Sequence, residues 1–249
     1  MENGDDRGQP PFACLPLPVD VVKGGMRSFL LYAAACLILG GCGNQGMNLH
    51  PFKDQSFTRE GFAVCHGFNC YYRTQGWITD KQWRELDKMF TPPAKTAEAE
   101  RKRIAKAIGR MEYFAGLSSG LNQDRAEAET FEEDRITQMD CIDETVNTDL
   151  YLNFLQEAGW LHYHRVARPV HRGFFVDGAW PHNAAAVRDT ASGAVYVVDS
   201  YYSAHAQDAH IVPLAQWADF WRPAGARRGP KAEDAAQKPD KVERAAKTR

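Results

Sequence analysis

The sequence predicts a single α+β domain, and three observations carry that prediction: helical periodicity falls within residues 80–158, strand-like runs within residues 160–199, and no segment repeats. Helices first and strands after imply N-terminal helices packed on an antiparallel sheet. Residues 61–221 are long enough to bury one core.

Asp80–Phe90 places Trp83, Leu86, Met89 and Phe90 on one face, with Thr79 or Asp80 as cap and Thr91-Pro92-Pro93 as the break. From Thr96 to about Leu117 an apolar line of Ile104, Ile108, Met111 and Phe114 or Ala115 predicts a second helix. Glu98 and Glu100 fall in its first turn, and its basic middle reads as a solvated face. Residues 118–125 read as a loop, and the acidic run 127–134 as a solvated helix or linker. A third helix runs from Cys141 to Ala158, where Ile142, Val146, Leu150, Phe154, Leu155 and Ala158 recur at steps of three and four before Gly159. Trp160–Val166 and His171–Val176 read as strands, with His162, His164 and His171 structural. Residues 180–187 and 194–199 flank the turn formers 188–193 as a β-hairpin.

Cys141, His182 and Asp199 are the candidate catalytic residues: a nucleophile, a base and an orienter. A thiol attacks as thiolate. Asp140 is a good N-cap, so Cys141 stands at the first turn, where unpaired N–H groups and the helix dipole favour negative charge. His182 starts one strand of the hairpin and Asp199 ends the next, so antiparallel pairing brings the two to the same end.

This order resembles the transglutaminase-like superfamily of papain-like cysteine hydrolases, most nearly the bacterial transglutaminase-like cysteine peptidases. The resemblance spans residues 137–202 and rests on Asp140-Cys141-Ile142-Asp143, on His182-Asn183 with Val187, and on Val197-Val198-Asp199. Met139 stands where that family usually has Gly, and Pro181 precedes the histidine. The resemblance implies a papain-like, transglutaminase-like fold with the backbone N–H of Cys141 as one oxyanion donor. Gln138 is the candidate second donor. It also implies a thiol hydrolase or acyltransferase acting on peptide or amide bonds, with no cofactor and no metal. The alternative is an inactive scaffold that keeps the residues and binds an envelope partner.

The amino end suggests the compartment. Residues 28–39 form an apolar run the length of a signal-peptide core, too short to span a bilayer comfortably. It follows Lys23 and Arg27 and precedes Leu39-Gly40-Gly41-Cys42, which resembles the lipobox of bacterial lipoproteins. Residues 1–25 carry Glu2, Asp5 and Asp6 where a leader should be basic, so they are expected to be a mis-called start or an extension before a signal peptide at 26–41. Cys42 would carry lipid, residues 42–60 would act as a tether, and Gly43 suggests the outer membrane, facing the periplasm of the bacterial envelope. Such a protein would meet its peptide or protein substrate in the envelope.

The remaining cysteines suit an oxidising compartment. Cys65 and Cys70 are close enough to pair. Zinc on Cys65, His66 and Cys70 is the alternative, but it lacks a nearby fourth ligand, so a small disulfide loop is favoured. Cys141 is then the odd thiol, which in an exported protein asks for an explanation.

Residues 222–249 hold nine basic against four acidic residues and no aromatic, the composition of a disordered basic tail. With the chain at −2, that tail's +5 leaves −7 on the rest, so the folded part is not of nucleic-acid-binding type.

Overall fold

A computed structural model describes residues 58–128, 135–173 and 181–226, all within one unit, Asn44–Arg249. The expected leader, the lipidation site Cys42, most of the tether and nearly all of the basic tail lie outside the described residues. No helix among the described residues is long and apolar enough to cross a membrane.

The elements are β1 (Phe62–His66), β2 (Tyr72–Gly76), α1 (Asp80–Phe90), α2 (Ala97–Ser119), a 3-10 turn (Arg135–Thr137), α3 (Cys141–Glu157), β3 (His164–Arg172), β4 (His182–Asp189), β5 (Val195–Asp199), β6 (His210–Pro213) and α4 (Leu214–Ala218). Strands β3-β4-β5-β6 form one antiparallel sheet in that order, and β1-β2 form a separate hairpin. The fold is therefore α+β with antiparallel sheets, as the order of periodicities implies.

The helix boundaries follow local chemistry. Thr79 caps α1 in a capping box with Gln82, Thr96 caps α2 by accepting from Ala99 N, and Gly120 ends α2 in the left-handed region at φ 81°. Asp140 caps α3 by accepting from Ile142 N and Asp143 N, while Asp143 returns a bond to Asp140 N. The core joins Leu86 of α1, Ile104, Ile108 and Met111 of α2, Leu152 and Leu155 of α3, and Ala185, Val187 and Val198 of the sheet. Each of those leucines is fully buried, so truncation to alanine costs about 2–5 kcal/mol.

Three features depart from the sequence reading. The strands expected at 160–166 and 171–176 are one strand as far as Arg172, because β3 lies at the sheet edge and a register shift between Ala167 and Val170 accommodates Pro169. Residues 174–180 lie outside the described residues. The chain forms a β1-β2 hairpin ahead of the helices, where the sequence reading placed no strand, and the expected Cys65–Cys70 disulfide closes it. Strand β6 and helix α4, absent from the sequence reading, complete the sheet edge and cover the sheet face of Val170, Ala184, Ala186 and Val197 with Trp217.

Helix α2 also carries two glycines that its propensity alone disfavours by about 1 kcal/mol each. A Cβ on Gly109 would lie 2.3 Å from Gln207 O, and one on Gly116 would lie 2.5 Å from His205 Cε1. The segment after β5 therefore docks directly on the α2 backbone, with Ala209 N donating to Ala105 O at 3.2 Å.

Candidate active site

Helix α3 is buried on most of its circumference, and its polar residues are anchored one by one. Asn147 bonds both N and O of Cys65, at 2.8 and 2.9 Å. Asp143 accepts from Phe68 N at 2.8 Å and Cys70 N at 2.6 Å, and Asp140 accepts from Asn69 N at 3.0 Å. Phe68, Asn69 and Cys70 hold positive φ, which turns these N–H groups toward the two carboxylates. The disulfide loop thus clamps the end of α3 that carries Cys141.

His182 and Asp199 meet as the hairpin reading expects. His182 Nε2 lies 2.8 Å from Asp199 Oδ2, and Trp217 Nε1–H donates to the same oxygen at 2.7 Å. Burial opposes a charge on Asp199, but His182, the Trp217 bond and the Arg172 guanidinium outweigh it and hold its carboxyl below the usual carboxylate range. The His182 ring is enclosed by Tyr201, Tyr202 and Trp217, with centroids 5.1, 5.4 and 5.5 Å away. Arg172, the register partner of His182 on β3, stacks its guanidinium 4.3 Å from the Trp217 ring centroid and donates to Tyr202 Oη at 2.9 Å. Tyr201 and Tyr202, which the sequence leaves open between cleft and packing, belong to this site.

Cys141 is a free, partly buried cysteine at the first position of α3. Its hydrogen-bonding neighbour is Asn183, with Nδ2 at 3.9 Å from Sγ; among the described residues no bond joins the thiol to His182. Strand alternation explains this. His182, Ala184 and Ala186 belong to the Trp217 face of the sheet, and Asn183, Ala185 and Val187 to the α3 face. Thiol and imidazole can meet only around the start of β4. Burial and the Asp140 carboxylate push the thiol up to about 12, against the opposing Asn183 bonds. This runs against a thiolate favoured by the helix start: in this arrangement burial favours the neutral thiol.

Gln138 is corrected as well. It is fully buried, its amide nitrogen donates to Gln123 O at 2.9 Å, and its amide oxygen accepts from Arg125 N at 3.0 Å. An amide committed at both ends holds the 121–125 loop and is not free to meet an oxyanion. The zinc alternative at Cys65, His66 and Cys70 falls to the disulfide, and the His66 ring lies between Ile136 O at 2.6 Å and Thr74 Oγ1 at 2.9 Å.

The sequence reading missed Trp217 and Arg172, and it quoted Asn183 only as part of the His182-Asn183 motif, without its contact to the thiol. Trp217 stands 18 residues past the last strand read from the sequence, and no local pattern singles it out. Its bond to Asp199 is set by β6 and α4, which short-range patterns do not mark. No family model matches the chain, and no curated protein or solved structure matches it.

Proposed function

We propose that the protein is a thiol hydrolase or acyltransferase of the transglutaminase-like, papain-like kind, acting on peptide or amide bonds with Cys141 as nucleophile. The observation that carries this reading is the buried His182–Asp199 pair, braced by Trp217, on the residue next to Asn183, which itself touches the Cys141 thiol. In the proposed reaction His182 accepts the Sγ proton as the sulfur adds to the carbonyl carbon, with the Cys141 N–H at the oxyanion. The tetrahedral adduct collapses, the C–N bond breaks, and the amine leaves with the proton from His182. Water, or a second amine in the transferase version, then attacks the acyl-thioester and restores the thiol. Asp199 keeps the imidazole tautomer that leaves Nδ1 for the thiol. Because burial favours the neutral thiol, the proposed proton transfer accompanies attack.

A second reading has its own observation. A thiol bonded to Asn183 and not to His182 is also what an inactive scaffold that binds an envelope partner would keep. In either case the proposed setting is the bacterial envelope, with a lipid on Cys42 and the domain facing the periplasm. This setting rests on the lipobox-like residues 39–42 and on the Cys65–Cys70 disulfide, which suits an oxidising compartment.

Iodoacetamide labelling of Cys141, mapped by mass spectrometry across pH in the wild type and in His182→Ala, separates the two. The catalytic reading expects a rate that rises and levels off as the imidazole becomes neutral, and falls at least tenfold in His182→Ala. A rate that climbs steadily into the alkaline range, identical in both proteins, is the signature of the scaffold.

A further inference from the structure

Away from the triad, three carboxylates converge in the interior, with a histidine beside one of them. Glu112 of α2, Asp124 of the loop after it and Glu144 of α3 are all buried, and one oxygen from each lies within 4.8 Å of the others. His205, on the loop after β5, brings Nδ1 to 3.5 Å from Glu112 Oε1. Three negative charges in one buried space need a counter-charge or bound protons.

Some of the remaining bonds are accounted for. Met139 N donates to Asp124 Oδ1 at 2.6 Å, Ser200 Oγ–H to Glu144 Oε2 at 2.6 Å, and Ala206 N to Glu112 Oε2 at 3.1 Å. What these bonds leave over is telling. Glu144, only 4% exposed, has its Oε1 without a hydrogen-bond partner, and both His205 ring nitrogens are buried without one. Orphaned atoms of this kind in a native interior ask for an unseen partner.

We propose that Glu112, Asp124, Glu144 and His205 bind one divalent first-row transition-metal ion, with Zn²⁺ as the best fit. The donor set decides the class. Imidazole with carboxylates suits Zn²⁺ or Mn²⁺, whereas Ca²⁺ and Mg²⁺ take oxygen ligands. At about 2.1 Å from a tetrahedral metal, neighbouring ligands lie about 3.4 Å apart, so the His205–Glu112 pair is already spaced for ligation. The ion ties α2, the 121–128 loop, α3 and the segment after β5 into one unit. It sits one turn along α3 from Cys141 and holds the segment carrying Tyr201 and Tyr202, which enclose His182. The site stands whether or not Cys141 is catalytic.

The test is thermal unfolding of the full chain carrying Cys14→Ser, Cys36→Ser, Cys42→Ser and Cys141→Ser, which removes the thiols outside the Cys65–Cys70 pair as ligands, with Zn²⁺, Mn²⁺, Ca²⁺ or Mg²⁺ added, together with metal analysis after desalting. The expected result is one equivalent of Zn²⁺ retained and a Tm rise of about 5–10 °C at a hundredfold excess over Kd, with Ca²⁺ and Mg²⁺ giving none. Glu144→Gln and His205→Ala should each abolish the shift. The second variant guards against misfolding, because the His205 ring makes no hydrogen bond whose loss would unfold the chain. Two outcomes overturn the proposal. One is no Tm shift with any cation while Glu144→Gln raises the Tm, which means that two carboxyls merely share a proton. The other is a Zn²⁺ shift that persists in both variants, which places the ion elsewhere.

Discussion

Two buried histidine–carboxylate pairs in this molecule have nearly the same geometry and different surroundings. His164 Nδ1 lies 2.9 Å from Glu100 Oε1, and His182 Nε2 lies 2.8 Å from Asp199 Oδ2. The Glu100 carboxylate is saturated: it also accepts from His162 N at 2.7 Å and Tyr163 N at 2.9 Å, and the second nitrogen of His164 lies 3.2 Å from Arg101 Nη1. It fastens the start of β3 to the first turn of α2. The Asp199 pair differs in three ways. One carboxylate oxygen, Oδ1, has no hydrogen-bond partner, the imidazole is walled by three aromatic rings, and the next residue touches a free thiol. A short His–carboxylate contact is therefore not itself a sign of chemistry; what its remaining atoms face separates a fastener from a site.

The largest expected effect tests that separation. Glu100→Ala strands a buried imidazole and the two backbone N–H groups just before β3, so it should cost about 3–5 kcal/mol of stability, read as a lower urea midpoint at unchanged slope. Labelling of Cys141 in the folded fraction should not change. If Glu100→Ala slows that labelling as strongly as His182→Ala, the two pairs are not functionally distinct.

Asp199→Asn should cost less, about 1–3 kcal/mol, because the amide keeps the shape but serves His182 and Trp217 less well. Its pH dependence carries the sharper information. A carboxyl held low in the folded state contributes stability above its unfolded value, near pH 4, and loses that contribution as pH falls through the folded value. The wild-type advantage over Asp199→Asn should be constant from pH 5 to 8 and shrink below about pH 4 in urea titrations. An advantage that shrinks toward neutral pH instead would mean that burial wins at Asp199. Trp217→Phe removes one donor and keeps the ring under Arg172. It should cost about 1 kcal/mol and move the onset of acid unfolding to higher pH.

How far each feature could be read from sequence follows from how far apart its parts lie. The start of α3 was legible because Asp140, Cys141 and Asp143 sit within one turn, and the hairpin because its turn formers stand between its strands. The continuity of β3 was not, since Pro169 looks like a break until the edge position of the strand is known. Glu100, Glu112 and Glu144 did leave a trace. On α2, Glu100 falls one turn before Ile104, and Glu112 falls between Ile108 and Ala115, all on the buried side. A carboxylate on an apolar stripe asks where its partner is, but the partners, His164 and His205, come from 64 and 93 residues away in sequence and only the fold brings them in.

The smallest stability effect bears most directly on the thiol. Asn183 bonds His171 Nδ1 through Oδ1 at 3.0 Å and approaches Cys141 Sγ through Nδ2 at 3.9 Å, so Asn183→Ala should cost only about 1 kcal/mol. Its effect on labelling has opposite signs under the two readings. If Asn183 only props a structural thiol, removing a donor that favours the charged form raises the thiol further, and labelling slows without regard to His182. If Asn183 holds a catalytic thiol away from the imidazole until substrate arrives, its removal frees Sγ to reach around the start of β4. Labelling of Cys141 should then quicken several-fold in Asn183→Ala and fall back in Asn183→Ala/His182→Ala. We expect the second pattern, because a buried His182–Asp199 pair with an orphaned oxygen has no structural task that a fully bonded pair such as His164–Glu100 would not perform better.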